Sequence, residues 1–287
     1  MTLCITDSEF KLLRDLIEKE CGIYLTENKT YLIETRLSRL VKESRCASFG
    51  EFYLKARSSP EAIRLCGMMI DAIATNETSW FRDRYPYQVL GEYLLPEYFK
   101  KIKAGRQNQI RIWSAGCSTG QEPYSIALTV YDFFRASSNE SVCHKWVDIL
   151  ATDVSHASIS RAMEARYDDV SINRGMPQTY RDRHFRKEGS SWVLEQRIRK
   201  MVTFKHCNLK FPLTGIGPLD IVFLRNVLIY FADNLKREIF EQLARVLSPG
   251  GCLFLGTGET VGGYSTMFDL IEIDGSLFYR LKPQGKT

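Results

Sequence analysis

The sequence has little of what exported, membrane-spanning or metal-binding proteins require. Its 287 residues contain no uninterrupted apolar run of about eighteen, the length that spans a bilayer. No basic and apolar leader follows Met1, and the eight cysteines and four histidines are dispersed, without the spacing of metal ligands. We therefore expect a cytoplasmic protein with reduced thiols, no metal and no direct insertion into a membrane.

The net charge of +5 is too small for a dedicated nucleic-acid-binding protein, but it is unevenly distributed. The first 75 residues read as helical, with apolar side chains at helical spacing at Phe10, Leu13, Leu16 and Ile17 and again at Ile33, Leu37, Leu40 and Val41. The second helix carries its positive charges opposite this apolar face, at Lys29, Arg36, Arg39, Lys42 and Arg45. Such a face is ordinarily only solvated, and the alternative is a docking surface for an acidic helix.

From about residue 110, short apolar strands alternate with helices, which predicts a mostly parallel sheet covered on both faces. Strands are predicted at 147–151, near 204, at 220–224 and at 252–255, the last after a turn at 248–251. A hairpin is predicted at 268–273 and 276–281. Ligands of such sheets bind beyond the carboxyl ends of the strands, and four of these ends carry polar residues.

Residues 111–128 run from an apolar strand through a turn with Gly116 and Gly120 into a helix that opens near Glu122. Such a joint lets the backbone approach a ligand and leaves the first amides of the helix free. No lysine and no GxGxxG spacing accompany it, and Glu122 would repel a polyphosphate. The turn therefore suits a cationic ligand with an amino acid end and a nucleoside, such as S-adenosylmethionine. Alternatively, Glu122 only complements the helix dipole.

Two polar residues at other strand ends fall where a nucleoside would lie. Asp153 follows the strand at 147–151, where such folds often place an acid on ribose hydroxyls, although it also suits a helix N-cap. Asn208 is suited to an adenine edge, or simply satisfies a loop.

Five segments together resemble the CheR family of chemotaxis receptor methyltransferases: NETSWFRD (76–83), SAGCSTGQEPYS (114–125), ATD (151–153), NL (208–209) and LRNVLIYF (224–231). They occur in the order of the family, and the resemblance covers nearly the whole chain. It implies a Rossmann-like S-adenosylmethionine-dependent methyltransferase domain at 76–287, with a small inserted β subdomain at about 166–204. An all-helical domain for receptor docking would precede it at 1–75.

The resemblance also implies roles for individual residues. Contacts with the cofactor are expected at Asn76, Thr78, Arg82, Gly116, Glu122, Asp153, Asn208, Leu209, Arg225 and Asn226. Tyr230 is similar to the family's active-site tyrosine, and we expect Tyr230 and Arg82 to orient the incoming carboxylate. Read without the family, Asn76 and Thr78 are helix caps and Tyr230 is a half-buried aromatic.

The implied reaction transfers a methyl group from S-adenosylmethionine to receptor glutamates, leaving glutamate methyl esters and S-adenosylhomocysteine. A glutamate carboxylate is already ionised at neutral pH, so no catalytic His or Cys is needed as a general base. Because the methylation helices of receptors in this family are acidic, docking becomes the favoured role for Arg36, Arg39 and Lys42.

The stretch before residue 205 bears on the substrate. A strand-like pair is expected at 192–194 and 201–204, and the turn at 187–191 is short. Family members that bind a receptor C-terminal pentapeptide carry a longer glycine-rich loop there, so the sequence predicts a pentapeptide-independent enzyme. The alternatives are a methyltransferase acting on another signalling protein, a small molecule or RNA, or a non-enzymatic receptor-binding paralogue. Retention of Glu122, Asp153 and Tyr230 disfavours the paralogue.

Overall fold

In the computed structural model, which describes residues 3–136 and 143–283, the chain begins with a bundle of four helices. These are α1 (Asp7–Cys21), α2 (Thr30–Glu43), α3 (Phe49–Ser58) and α4 (Ala62–Ile73). Thr6 and Glu9 form a capping box at the start of α1, and Gly22 ends the helix at φ 78°. The two predicted apolar faces pack together in one buried cluster, which confirms the helical reading of this region.

The rest of the described chain is built on two sheets. Its strands are β1 (Ile110–Ala115), β2 (Val147–Asp153), β3 (Arg166–Asp168), β4 (Phe185–Glu188), β5 (Ser191–Leu194), β6 (Val202–His206), β7 (Leu219–Leu224), β8 (Leu247–Leu255), β9 (Phe268–Ile273) and β10 (Ser276–Leu281). The large sheet has the order β6-β2-β1-β7-β8-β10-β9, and β3-β5-β4 form a small antiparallel sheet. The pairs from β6 to β8 are parallel, and the predicted hairpin β9–β10 closes the edge. The predicted α/β fold is confirmed.

Helices cover both faces of the large sheet. The α-helices after the bundle are α5 (Tyr85–Val89), α6 (Leu95–Lys103), α7 (Gln121–Ala136), α8 (Cys143–Trp146), α9 (His156–Glu164), α10 (Asp169–Asn173), α11 (Gln178–His184), α12 (Gln196–Arg199) and α13 (Asp233–Val246). Of these, α10 and α11 pack on the small sheet. Along β7, Ile221 and Phe223 enter one core while Val222 and Leu224 enter the other. Burial on both faces explains why residues 221–224 of this strand form an apolar run. No helix of the described residues is long and apolar enough to cross a membrane.

Two strand expectations need correction. Val202–His206 does not pair with the strand around Trp192; it lies parallel to β2, with Val202 opposite Ile149. Trp192 belongs to β5, whose partners are β3 and β4. Local sequence favoured a hairpin, but a second apolar edge was available on the large sheet. In addition, β8 begins at Leu247 and includes the predicted turn, where Gly250 has a φ of 76°.

Candidate active site

One cavity, of about 1150 Å³ including its open mouth, lies at the carboxyl ends of β1, β2 and β7. The ten residues expected to contact the cofactor all line it, together with Tyr230. They come from five separate segments of the chain. Four of these follow β1, β2, β6 and β7, whose carboxyl ends meet at one edge of the parallel sheet, and the fifth, 76–82, connects α4 to α5. The fold therefore assembles the predicted residues around a single pocket.

The glycine turn after β1 forms the floor of the cavity. Gly116 has a φ of 74°, and a Cβ atom there would lie 2.5 Å from Cγ2 of Val227, so only glycine fits without rearrangement. The backbone N–H groups of Gly116 and Cys117 both donate to the Thr152 carbonyl, at 2.8 and 2.9 Å. These bonds lock the turn onto the end of β2.

Asp153 joins this turn to the loop before α9. Its carboxylate accepts hydrogen bonds from the Ser118 N–H at 2.8 Å and the Ser155 N–H at 2.9 Å. Burial raises the pKa of Asp153, although these backbone donors oppose the rise. The N-cap of α9 is Ser155, whose hydroxyl accepts from the Ser158 N–H, so the cap alternative for Asp153 is wrong. A carboxylate accepts about four hydrogen bonds, which leaves Asp153 capacity for a ligand.

Glu122 and Arg225 form an ion pair in the wall of the cavity. Arg225 Nη1 lies 3.0 Å from Glu122 Oε2, and the hydroxyl of Ser114 donates to Glu122 Oε1 at 2.8 Å. The Arg225 side chain is only 1% exposed. Burial raises the pKa of Glu122, and the Arg225 charge opposes that rise. The pair thus places a compensated negative charge at the start of α7.

The other guanidinium nitrogen of Arg225 holds the segment that carries Arg82. Nη2 donates to the Asp83 carboxylate at 2.6 Å and to the Arg82 carbonyl at 2.8 Å. Phe81, Asp83 and Arg84 have φ values of 45°, 64° and 56°, a left-handed conformation that non-glycine residues rarely adopt. Such residues cost about 1–3 kcal/mol each and persist only where the surroundings fix them. Arg225 is one of those fixed points.

The helical domain forms one wall of the cavity, through Cys21 and Ile23. Asn208 Nδ2 donates to the Glu20 carbonyl at 2.7 Å, and Asn208 Oδ1 accepts from the Lys210 N–H at 3.1 Å. Its amide thus satisfies the loop and the end of α1, which matches the alternative role, while contact with an adenine remains a prediction. Burial raises the pKa of the Cys21 thiol to about 11, so this wall is neutral.

Tyr230 ends a 3-10 turn, Leu228–Tyr230, on the rim of the cavity. Its carbonyl accepts from the Tyr24 N–H at 2.8 Å, and next to it Ile23 and Phe231 form an antiparallel bridge. The tyrosine is half-buried and packs against the core of the helical domain. It is therefore held from both domains.

The segment between the two domains is irregular. The C-cap of α4 is Ala74 and the N-cap of α5 is Arg84. Asn76 and Thr78 lie between these positions, so the cap alternative for both is wrong. Asn76 Oδ1 instead accepts from the Ser158 hydroxyl at 2.8 Å, which ties the segment to α9.

Two family profiles match the chain. Residues 8–66 match the all-alpha domain of CheR methyltransferases, and residues 76–276 match their S-adenosylmethionine-binding domain. The chain belongs to the CheR methyltransferase family. It is 37% identical to chemotaxis protein methyltransferase 1 of Pseudomonas aeruginosa, over 96% of this chain and 98% of the relative. It is 35% identical to the chemotaxis protein methyltransferase of Vibrio parahaemolyticus, over 98% and 99%.

The resemblance recognised in the sequence is thereby confirmed, together with the enzyme class and the cofactor. This CheR enzyme is a chemotaxis protein methyltransferase of the protein-glutamate O-methyltransferase class, and S-adenosylmethionine is its cofactor.

The cavity fits that cofactor in its polar groups. Among the described residues, Ser118 Oγ and Asn226 Oδ1 are buried without a hydrogen-bond partner, and both residues line the cavity. Unpaired buried polar atoms are costly, so a ligand with hydroxyl and amino groups would satisfy them. Ser118 was missed in the sequence because serine in a glycine turn reads as turn chemistry.

The basic face of α2 is less uniform than its sequence indicates. Arg36 Nη1 donates to the Ile73 carbonyl at 2.5 Å and to Thr75 Oγ1 at 3.2 Å, so it caps the end of α4. Arg39 is 87% exposed and pairs with Glu43 at 2.7 Å, and Lys42 is also exposed. Arg36 therefore has a structural partner, whereas Arg39 and Lys42 face solvent.

Proposed function

We propose that this CheR-family enzyme methylates glutamate side chains in the acidic methylation helices of chemotaxis receptors, in the cytoplasm and without need of a receptor C-terminal pentapeptide. The observation that carries the proposal is the convergence of Asn76, Glu122, Asp153 and Tyr230 on one cavity walled by both domains. We place the helical docking domain at 1–75 and the catalytic domain at 76–287. Residues 1–2 of the first and 284–287 of the second lie outside the described residues. The β subdomain lies within about 166–204, and its strands end at Leu194.

S-adenosylmethionine supplies an electrophilic methyl group on a sulfonium. With the cofactor bound, a receptor carboxylate would take this methyl group, the sulfur would leave with the pair of the C–S bond, and no proton would need to move. The protein acts by orientation, which contributes on the order of 7 to 11 kcal/mol in favourable cases. We assign Asp153 to the ribose hydroxyls, Glu122 to the cationic end of the cofactor, and Tyr230 with Arg82 to the incoming carboxylate.

Receptor docking rests on Arg39 and Lys42, which are exposed on α2. An acidic helix approaching this face would meet positive charge that steers association and fixes register. Arg36 supports the same face indirectly, since it fixes the end of α4 against α2.

Pentapeptide independence rests on the β4–β5 connection. β4 ends at Glu188 and β5 begins at Ser191, so only Gly189 and Ser190 link them. A two-residue turn offers no loop to close over a bound peptide. Binding of a receptor tail peptide to the purified protein would contradict this part of the proposal.

The decisive assay is transfer of labelled methyl from S-adenosylmethionine to cytoplasmic receptor fragments. Fragments with Glu at the acceptor positions should be labelled with base-labile esters, whereas fragments with Gln there should not. Removal of the receptor tail should leave the rate unchanged. Cofactor binding without transfer to these fragments would contradict the proposed acceptor, and labelling of RNA, a small molecule or another signalling protein instead would favour those substrates.

A further inference from the structure

The backbone between β7 and Tyr230 turns its N–H groups toward one carboxylate that lies outside the cavity wall. Glu259 Oε2 accepts from the Asn226 N–H at 2.6 Å, and Oε1 accepts from the N–H groups of Val227 at 2.9 Å and Ile229 at 3.3 Å. These groups belong to no strand, and Glu259 is the protein partner that accepts from all three. Segment 226–229 thus surrounds the Glu259 carboxylate with backbone N–H groups, in the way that a backbone nest binds an anion.

The same carboxylate ties this segment to the end of β8. The Gly256 N–H donates to Glu259 Oε2 at 2.8 Å. A Cβ atom on Gly256 would lie 2.6 Å from Asn226 Nδ2 and 2.9 Å from the Asn226 backbone nitrogen, so Asn226 approaches the backbone at residue 256 more closely than a side chain there allows. Asn226 itself has a φ of 59°. Glu259 and Gly256 together therefore fix Asn226 against the end of β8.

The segment leads directly to Tyr230. Asn226, Val227, Ile229 and Tyr230 all line the cofactor cavity, whereas Glu259 lines a neighbouring cleft. The last N–H bound by Glu259 belongs to Ile229, one residue before Tyr230. On its other side, the Tyr230 carbonyl is held by the Tyr24 N–H. Loss of the Glu259 carboxylate would remove one of the two anchors of this segment, leaving the Tyr24 contact and the bond from the Tyr230 N–H to the Val227 carbonyl within the 3-10 turn.

We propose that Glu259 is a positioning residue for methyl transfer, which holds the backbone of 226–229 so that Tyr230 meets the incoming carboxylate. This inference rests on the proposed role of Tyr230. Because a misplacement of about 1 Å costs on the order of a hundredfold in rate, a carboxylate that touches neither cofactor nor substrate can still govern kcat.

The test is Glu259→Gln, which keeps the size of the side chain but sets an amide N–H₂ against backbone donors. We expect kcat to fall by about tenfold or more, with the KM for the receptor fragment and the Kd for S-adenosylmethionine within about threefold of wild type. Glu272→Gln, an exposed change of the same type on β9, is the matched control and should leave all three unchanged. Glu259→Asp, which retains the carboxylate on a shorter side chain, should fall between wild type and Glu259→Gln.

A double-mutant cycle with Tyr230→Phe separates positioning from a general loss of structure. Active-site titration with the cofactor gives the folded fraction, to which each rate is normalised. If Glu259 acts through the tyrosine, Glu259→Gln should lower kcat less than about threefold in the Tyr230→Phe background. Independent, multiplicative losses would overturn the inference. So would a loss of kcat that disappears after normalisation.

The cycle also distinguishes failure of this inference from failure of the proposed function. If Tyr230→Phe alone leaves kcat unchanged, the catalytic assignment of the tyrosine is wrong, and a Glu259 effect through it is excluded as well. If Tyr230→Phe slows transfer but the two losses multiply, only the role of Glu259 is wrong.

Discussion

The buried Arg225 allows a sharp test, because its removal leaves the Glu122 carboxylate without a counterion. In Arg225→Met the apolar stem is kept, while the contacts to Glu122 at 3.0 Å, Asp83 at 2.6 Å and the Arg82 carbonyl at 2.8 Å are lost. Breaking one side of a buried ion pair costs about 3–5 kcal/mol of unfolding free energy. The exposed pair of Arg39 and Glu43 serves as the control, and Arg39→Met should cost less than about 1 kcal/mol.

The pH dependence of this cost follows from Glu122. Burial raises its folded-state pKa, so at a given pH the folded protein binds a proton at Glu122 more readily than the unfolded chain does. Stability from this group is full below the ordinary pKa of about 4.3 and is lost as the pH rises through the folded-state pKa. In the wild type, the charge of Arg225 opposes the rise in the pKa of Glu122. In Arg225→Met the pKa should rise further, and the deficit relative to wild type should grow between pH 5 and pH 8.

The loss of stability and its pH dependence can be measured by urea unfolding at pH 5 and pH 8. The proteins compared are wild type, Arg225→Met and the double variant Glu122→Gln/Arg225→Met. Replacing both partners removes the uncompensated charge, so the double variant should be more stable than Arg225→Met at pH 8. Equal stability of the two variants, or a deficit independent of pH, would refute the view that an orphaned carboxylate dominates the cost. Methyl transfer should be lost in both, since the left-handed segment carrying Arg82 loses its anchor.

Further predictions concern docking and the cofactor. Charge reversal in Arg39→Glu/Lys42→Glu should raise the KM for receptor fragments at low salt about tenfold while the cofactor Kd measured by calorimetry stays constant, and loss of both would indicate misfolding instead. Gly116→Ala should abolish measurable cofactor binding because of its positive φ and the 2.5 Å contact with Val227, whereas Gly67→Ala, in open space on α4, should bind normally and gain about 0.5–1 kcal/mol in stability. Tyr230→Phe should lower kcat with the cofactor Kd unchanged.

The sequence predicts the sheet well because its strands are apolar runs flanked by glycine, proline or aspartate. Residues 221–224 are such a run, whereas the β9–β10 hairpin is indicated by Asp274-Gly275 between two strand-like segments. It predicts the partner of Val202–His206 poorly. This strand pairs with β2, which is distant along the chain, and the local sequence does not indicate which sheet edge it joins. Once the parallel sheet is predicted, the proximity of Asp153 and Asn226 follows, because each lies at the carboxyl end of a strand and these ends meet at one edge.

What sequence did not reveal depends on partners far along the chain. The left-handed backbone at Phe81 and Asp83 has no glycine to signal it, and its anchor, Arg225, is 142 residues from Asp83. Arg36 reads as one more surface charge until its bond to the Ile73 carbonyl is seen. Glu259 follows a strand in a glycine-rich stretch, which is the only signal that the sequence offers for its place beneath Asn226.

The bridge between Ile23 and Phe231 has a consequence for modularity. Along the chain the helical and cofactor-binding regions are separate segments, but Cys21 and Ile23 close one side of the pocket that the second region builds. A catalytic region expressed alone would have that side open to water. Exchanging helical regions between relatives to redirect receptor choice therefore also exchanges a wall of the methyl donor's pocket. Such an exchange should therefore alter cofactor affinity as well, unless residues 21–24 are kept with the recipient.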